Sequence, residues 1–387
     1  MDWHSASVGP SFVSGGKRWT SHGGHVGIST PHRMPRGLRR RSRMGAISLN
    51  GSAGEGGGQI LRTALTLSLI TGKPFTIRRI RANRDKPGLR PQHLAAVLAA
   101  ADLGGAEVTG ASVGSKTLSF KPGAVIARDM SIDIGTAGAT GLVLQTLHLP
   151  LAMRAASGIR LVIEGGTFNT AAPSYPFLDQ TWARHMDRLG LPVALAMPGA
   201  GFYPVGGGRL EAWIEGGQPC ATVLDRRGPV VAIRGEAGVC GLDPTIAARM
   251  VARVESRLAD RGIEADLKVV EWQGGSPGTA ISLTANHGET AATFVGLGER
   301  RKSAEAVADG AVDELLAFLD VPDAAVDPHS ADQLLLPLAF AEGRSILSVS
   351  EVTEHLRTNV ATLGAFLDRP ISILDADEGH PARVIVG

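Results

Sequence analysis

One pattern recurs three times along this chain and narrows its possible folds more than any other feature. An apolar helix ends in a glycine, a short strand follows, a polar loop leads to a second helix, and paired short strands close the unit. The first unit places its helices at residues 59–71 and 91–103, with Gly72 and Gly104 after them and a strand at 75–80. The second places helices at 140–155 and 177–189, a strand at 159–163 and a loop at 165–176. The third places helices at 331–341 and 359–367, a strand at 345–349 and a loop at 350–358. The closing strands are expected at 107–109 with 117–121, 192–196 with 209–214, and 371–374 with 382–386. Glycine just past a helix suits a left-handed cap, and Pro91 suits a first helical position, where no N–H is needed. The polar loop falls between the same strand and helix each time. Units packed about a common axis would therefore bring three loops into one site.

Residues 225–323 break the pattern. They read as strands at 230–234, 266–271, 280–284 and 293–297 with helices at 244–261 and 303–319, an α/β domain of roughly 100 residues. The expectation is a mixed α+β or α/β protein, with a repeat body at 44–224 and 324–387 and one inserted domain between. Residues 1–43 differ in kind. They are rich in Gly, Ser, His and Arg without hydrophobic periodicity, which predicts a disordered basic tail. Met44 then reads as an alternative start; an organellar targeting peptide and a basic RNA-binding arm are the other readings of that segment.

Chemistry concentrates first at Gly54-Glu55-Gly56-Gly57-Gly58-Gln59, ahead of the first helix, and at the loop holding Arg81, Arg84, Lys86 and Arg90. Glycines let backbone N–H groups approach phosphate oxygens, and a helix N-terminus adds a favourable dipole. Glu55 is the acid of that turn and a candidate ligand for a divalent metal. The turn lacks the Gly-Lys-Ser/Thr ending of a Walker loop, so a merely basic surface stands beside phosphate binding as a reading of these residues.

The composition excludes several classes. Net charge is +2, so a polyanion must be met by a local patch and not by a global field. Aromatics are 4%, too few for recognition through many stacked bases. Cys220 and Cys240 provide neither a disulfide framework nor a metal cluster, which suits a reducing cytoplasm. No apolar run reaches membrane-spanning length.

Among eleven histidines, His355 is the most pointed, since Thr353-Glu354-His355-Leu356-Arg357-Thr358-Asn359 sits at the expected start of a helix. A neutral imidazole is a competent nucleophile, and a helix N-terminus attracts phosphate. His93, His148 and His185 read as ordinary helix histidines. Asp332 and Gln333 head an apolar helix, either as caps or as nucleotide contacts. Gln145 is an amide within an apolar helix, where it needs a ligand or a buried partner. The loop at 164–173 matches the position of the other two loops.

At these residues the chain resembles the RNA 3′-terminal phosphate cyclase family. The resemblance rests on Glu55 to Arg62, on Arg81 to His93, on Glu164 to Pro173, on Gly201-Phe202-Tyr203-Pro204 with its glycines, on Ala331-Asp332-Gln333-Leu334, and on His355 with Thr358-Asn359. It runs in order from Met44 to the C-terminus. It implies that a histidine attacks the α-phosphorus of ATP, that AMP passes to an RNA 3′-phosphate, and that the 2′-hydroxyl closes a 2′,3′-cyclic phosphodiester and releases AMP. His355 matches the nucleophile and Glu55 the metal ligand, for magnesium or manganese. Arg62, Arg81, Arg84 and Gln92 match positions around phosphates and the RNA end. Gln145, Asp332 and Gln333 match nucleotide-site positions, and Pro173 lies where the family packs on adenine. The implied fold is three units similar to the C-terminal domain of translation initiation factor 3, two helices on a four-stranded sheet, with one inserted α/β domain. Enolpyruvate transferases resemble it at the level of the repeat. One departure is His329, where some members carry a tyrosine that stacks on adenine. The implied partners are ATP and an RNA bearing a 3′-phosphate, with no membrane and with homodimerisation open. A scaffold branch of the family, active in ribosome assembly without the nucleophile, is the alternative.

Overall fold

Among the described residues, four short sheets carry the architecture. The computed structural model describes residues 45–387 apart from Glu55, Glu289 and residues 377–379. The expected tail and the candidate metal ligand Glu55 thus lie outside the described residues. Strands β1 (Ile47–Asn50), β2 (Phe75–Arg78), β3 (Glu107–Thr109) and β4 (Thr117–Lys121) form a sheet in the order β1-β2-β4-β3. Strands β5 (Met130–Asp133), β6 (Ile159–Gly165), β7 (Val193–Gly199) and β8 (Gly208–Ile214) form the second, β5-β6-β8-β7. After β9 (Val223–Leu224) the chain enters a sheet of β10 (Val230–Cys240), β11 (Ala265–Glu271), β12 (Gly278–His287) and β13 (Thr290–Leu297), ordered β11-β10-β12-β13. Strands β14 (Ser345–Val349), β15 (Ile371–Leu374) and β16 (Ala382–Val386) then return to β9 in the order β15-β16-β14-β9. The first, second and last sheets follow one plan: a leading strand parallel to its neighbour, then two antiparallel pairings.

The leading strands β5 and β9 escaped the sequence reading because four and two residues are too short to show alternation. The helices of the first unit fall where expected: α1 (Gln59–Thr71) stops at Gly72 with φ 72°, and α2 (Pro91–Gly104) stops at Gly105 with φ 51°. Helix α3 (Thr140–Ala152) is buried along its length except at Gln145. The single helix expected at 177–189 is instead α4 (Tyr175–Phe177), a π-helical turn (Leu178–Trp182) and α5 (Ala183–Arg188). At that wider turn Thr181 shares a 2.8 Å hydroxyl contact with Thr293 of β13, and Trp182 meets His148 edge-on at 4.9 Å.

Helices α6 (Thr245–Ala259) and α7 (Ala304–Leu319) cover β10 to β13 and close a hydrophobic core of their own. Arg249, Arg253 and Arg257 on α6 face Glu305, Asp309 and Asp313 on α7. Helix α8 (Pro328–Leu338) starts earlier than expected because Asp327 caps it, accepting the His329 and Ser330 N–H groups at 2.9 Å each. Helix α9 (Glu354–Phe366) also starts earlier, capped by Thr353, whose hydroxyl accepts from the Leu356 N–H at 3.2 Å. Asp332 therefore is not a helix cap, and His355 sits inside the first turn of α9. One continuous core joins the other three sheets, with α1 packed against α2, α3 and α9, and α8 against α9.

Candidate functional site

Where α1 begins, it meets α8 and α9. The Gln59 amide N–H₂ donates to the Asp332 carboxylate at 2.8 Å and to the His355 carbonyl at 3.1 Å. Two acceptors on that side fix the amide's orientation, so its oxygen faces the His355 ring, 2.7 Å from Nδ1. An amide oxygen can only accept. Nδ1 therefore carries the proton and the lone pair of the neutral ring lies on Nε2. Asn359, one turn beyond His355, donates to the Asp332 carbonyl at 2.9 Å and accepts from the Thr63 hydroxyl at 2.8 Å. Three helices are thus tied together by side chains around one imidazole.

Burial sets the electrostatics. Arg62, one turn into α1, is pushed down to about 10 by burial, partly offset by the charge of Asp332. Burial raises the Asp332 carboxyl to about 7, with the Arg62 charge opposing it. Both line a cavity of about 90 Å³ that also touches Gln145, His148, Trp182 and Gln333. His148 contributes a buried Nε2 with no hydrogen-bond partner. The Gln145 amide donates to the Gln333 side-chain oxygen, and Gln333 donates to the His329 carbonyl at 2.6 Å. His329 is half-exposed, edge-on to Phe177 and Phe294, with Nε2 3.3 Å from Glu314 on α7. The Glu314 contact, aided by other nearby carboxylates, raises its imidazole above the ordinary value.

The glycine turn lies against both the cationic loop and α9. A Cβ on Gly54, which has φ 55°, would strike the Thr358 hydroxyl, and one on Gly56 would come within 2.9 Å of Asn83. Gly57 faces the Arg84 guanidinium. A Cβ on Gly58 would drive into the His93 ring and Arg62. His93 is buried, accepts from the Arg90 N–H at 3.2 Å, and is held down to about 3 by burial, then by the charges of Arg62, Arg81 and Arg90. Gly58→Ala is accordingly expected to cost about 1–3 kcal/mol, the scale of overpacking a close contact. A denaturant midpoint equal to wild type would contradict this packing. Arg81 turns inward, donating to the Lys86 and Gly88 carbonyls at 2.7 and 3.2 Å, while Gln92 accepts from the Ala139 N–H at 3.1 Å.

Comparison with known proteins identifies the family. The family model described as RNA 3′-terminal phosphate cyclase matches residues 53–373. The chain belongs to this family. Proteins named RNA 3′-terminal phosphate cyclase are similar to it. That of Ralstonia nicotianae is 42% identical over 345 residues, covering 88% of this chain and 97% of the relative. That of Pseudomonas fluorescens is 43% identical over 331 residues, covering 84% and 95%. That of Nostoc punctiforme is 40% identical over 340 residues, covering 86% and 97%.

Of the positions matched to the cyclase family by sequence, the structure gathers Arg62, Gln145, Asp332 and Gln333 around the cavity and His355 beside it through Gln59. Arg84 and Gln92 lie on the flank formed by the glycine turn and the start of α2. Pro173 is half-buried, its carbonyl against Gly141 at the start of α3, and neither it nor His329 lines the cavity. Sequence reasoning gave no role to Gln59, Thr63, Asn359 or Glu314, although Gln59 and Asn359 stand in the motifs that carry the resemblance. The i, i+4 spacing of His355 and Asn359 on one helix face could have flagged the third of these. Glu314 had no local signal, because its partner is on another helix.

Proposed function

We propose that this chain is an ATP-dependent RNA 3′-phosphate cyclase that works through a covalent histidine–AMP adduct. The observation that carries this reading is the His355–Gln59–Asp332 chain, which holds a proton on Nδ1 and so makes Nε2 the nucleophilic nitrogen when the ring is neutral. Nε2 attacks the α-phosphorus of ATP; the N–P bond forms as the bond to the pyrophosphate oxygen breaks. Positive charge develops on the ring, and the Nδ1–H bond to Gln59, backed by Asp332, strengthens with it. The RNA 3′-phosphate oxygen then takes AMP from the histidine, returning the electron pair to Nε2. Finally the neighbouring 2′-hydroxyl attacks the activated phosphate, expelling AMP and losing its proton.

Arg62, Arg84 and the glycine turn supply positive charge and backbone donors for the phosphates, Gln92 orients the RNA end, and Gln145, Asp332 and Gln333 hold the nucleoside, with Pro173 and His329 flanking the base. Among the described residues no cluster of three or more His, Cys, Asp or Glu could hold a metal by itself. Glu55 is the residue proposed to hold magnesium or manganese, which take few protein carboxylates and fill their shells with phosphate oxygen and water. The bound metal would neutralise charge building on the phosphates. The shared plan of three sheets supports a body of three repeats, with residues 225–323 inserted as a separate domain. Among the described residues no helix is long and apolar enough to cross a membrane, and both cysteines are unpaired, which suits a cytoplasmic setting.

The test is incubation with ATP labelled at the α-phosphate and either metal, then with a 3′-phosphorylated RNA. An acid-labile, alkali-stable label on the protein and a phosphatase-resistant RNA end are expected. A folded protein that takes up no label with either metal would refute the adduct and favour the scaffold reading. Gln59→Ala should slow label uptake on the order of a hundredfold or more, since the imidazole loses the group that sets its tautomer. An unchanged rate would remove Gln59 from the mechanism.

A further inference from the structure

The loop between β7 and β8 ends in an apolar tip, Tyr203-Pro204-Val205, that faces solvent. Tyr203 is 82% exposed and Val205 62%. An exposed tyrosine alone carries little meaning, but this one is mounted on a stiff base. The Gly206 N–H donates to the Phe202 carbonyl at 2.7 Å. The Ser276 hydroxyl accepts the Phe202 N–H at 3.1 Å and sits 2.7 Å from the Phe202 carbonyl. Beneath the tip Phe202 stacks on Phe168 at 4.7 Å, and Phe168 packs on Trp272 at the same separation. Gly206 and Gly207, with φ 80° and 66°, lie so close to Ala137 and Gly275 that a Cβ on either would come within 2.9 Å of backbone.

The tip is continuous with the RNA-end side of the proposed site. Gly206 packs on Ala137, and Asn169 donates to the Ala137 carbonyl at 2.6 Å. The adjacent Gly138 has the Gln92 Cβ 2.9 Å from where its own Cβ would stand, and the next residue, Ala139, donates to the Gln92 side chain. One short turn therefore links the residue proposed to orient the RNA end to the base of the Tyr203 loop. An RNA whose 3′-phosphate reaches His355 must lead its preceding nucleotides out over some surface. Single-stranded bases are recognised by stacking on exposed aromatic faces.

We infer that Tyr203 is an RNA-positioning residue, its ring stacking on a base upstream of the 3′-phosphate as the strand leaves across the Gly135–Ala139 turn. This rests on the cyclase reading above. The base of the tip is already held by the Phe202, Gly206 and Ser276 contacts, which lowers the ordering cost of stacking.

The test is the KM of the full chain for a 3′-phosphorylated single-stranded RNA of about ten nucleotides, beside the rate of label transfer from ATP to protein. Tyr203→Ala should raise KM about tenfold, within the range set by one base–aromatic stack. Tyr203→Phe and Tyr203→Trp should restore it, and Tyr203→Leu, apolar but without a ring face, should not. Label transfer involves no RNA and reports whether each variant is folded. An unchanged KM in Tyr203→Ala and Tyr203→Leu would overturn the inference. Failure of Phe and Trp to rescue would overturn stacking. A wild-type protein that takes up label yet never cyclises RNA would instead refute the cyclase reading.

Discussion

Replacing His355 with alanine should abolish covalent labelling by ATP and reduce RNA cyclisation by on the order of 10⁴-fold or more, because no residual nucleophile shares its position. Thr353 caps α9 and Asn359 ties it to α8, and neither contact uses the imidazole. The variant should therefore keep its fold, apart from the loss of the ring's bond to Gln59. An RNA whose 3′-phosphate already carries AMP would bypass the first step, and His355→Ala should still cyclise it. That pairing separates loss of the nucleophile from damage to the RNA site. A labelled His355→Ala protein would place the adduct on another residue.

Acid should unfold the protein steeply. His148, His185 and His287 are held down to about 4 and His93 to about 3, in each case chiefly by burial. A histidine whose folded pKa lies below its unfolded value contributes stability that is fully present above about pH 6.5 and is lost as pH falls through the folded value. Each contributes a slope of about 1.4 kcal/mol per pH unit across that window. Asp332, raised to about 7, runs the other way: its contribution is full below its unfolded pKa and fades as pH rises through 7. Asp327, Asp179 and Glu236 are also raised, mainly by burial, and oppose the histidines in the same sense. The net expectation is a loss of stability as pH falls from about 6.5 to 5, because the four histidines outweigh Asp332 across that window. Denaturant titrations at several pH values measure it directly. His185→Leu should flatten the slope by about one proton, since neither nitrogen of His185 has a hydrogen-bond partner to lose. A slope unchanged by His185→Leu would show that this ring is not held neutral.

What the sequence made legible follows the range of the forces involved. Helix α1 and strands β4 and β16 lie where pattern placed them, because apolar runs and glycine stops are local signals. The starts of α8 and α9 were misplaced because Asp327 and Thr353 do their capping from within stretches that read as polar loop. The π turn at Leu178–Trp182 was invisible, since its partner Thr293 comes from a strand far along the chain. In the site, His355 and Asp332 stood out by residue type and by family resemblance, and Arg62 by resemblance alone. Gln59 did not, because its meaning lies in which two acceptors face its N–H₂ group. Pro173 and His329 remain expectations as base-flanking groups; the cavity is lined without them.

The contact between Gln59 and His355 spans 296 positions of sequence. A growing chain on the ribosome releases α1 well before α9, so a nascent chain that stops short of α9 lacks the Gln59–His355 pair. On the proposed mechanism, adduct formation would then require synthesis through α9, and a truncation that removes α9 should leave a protein inert toward ATP.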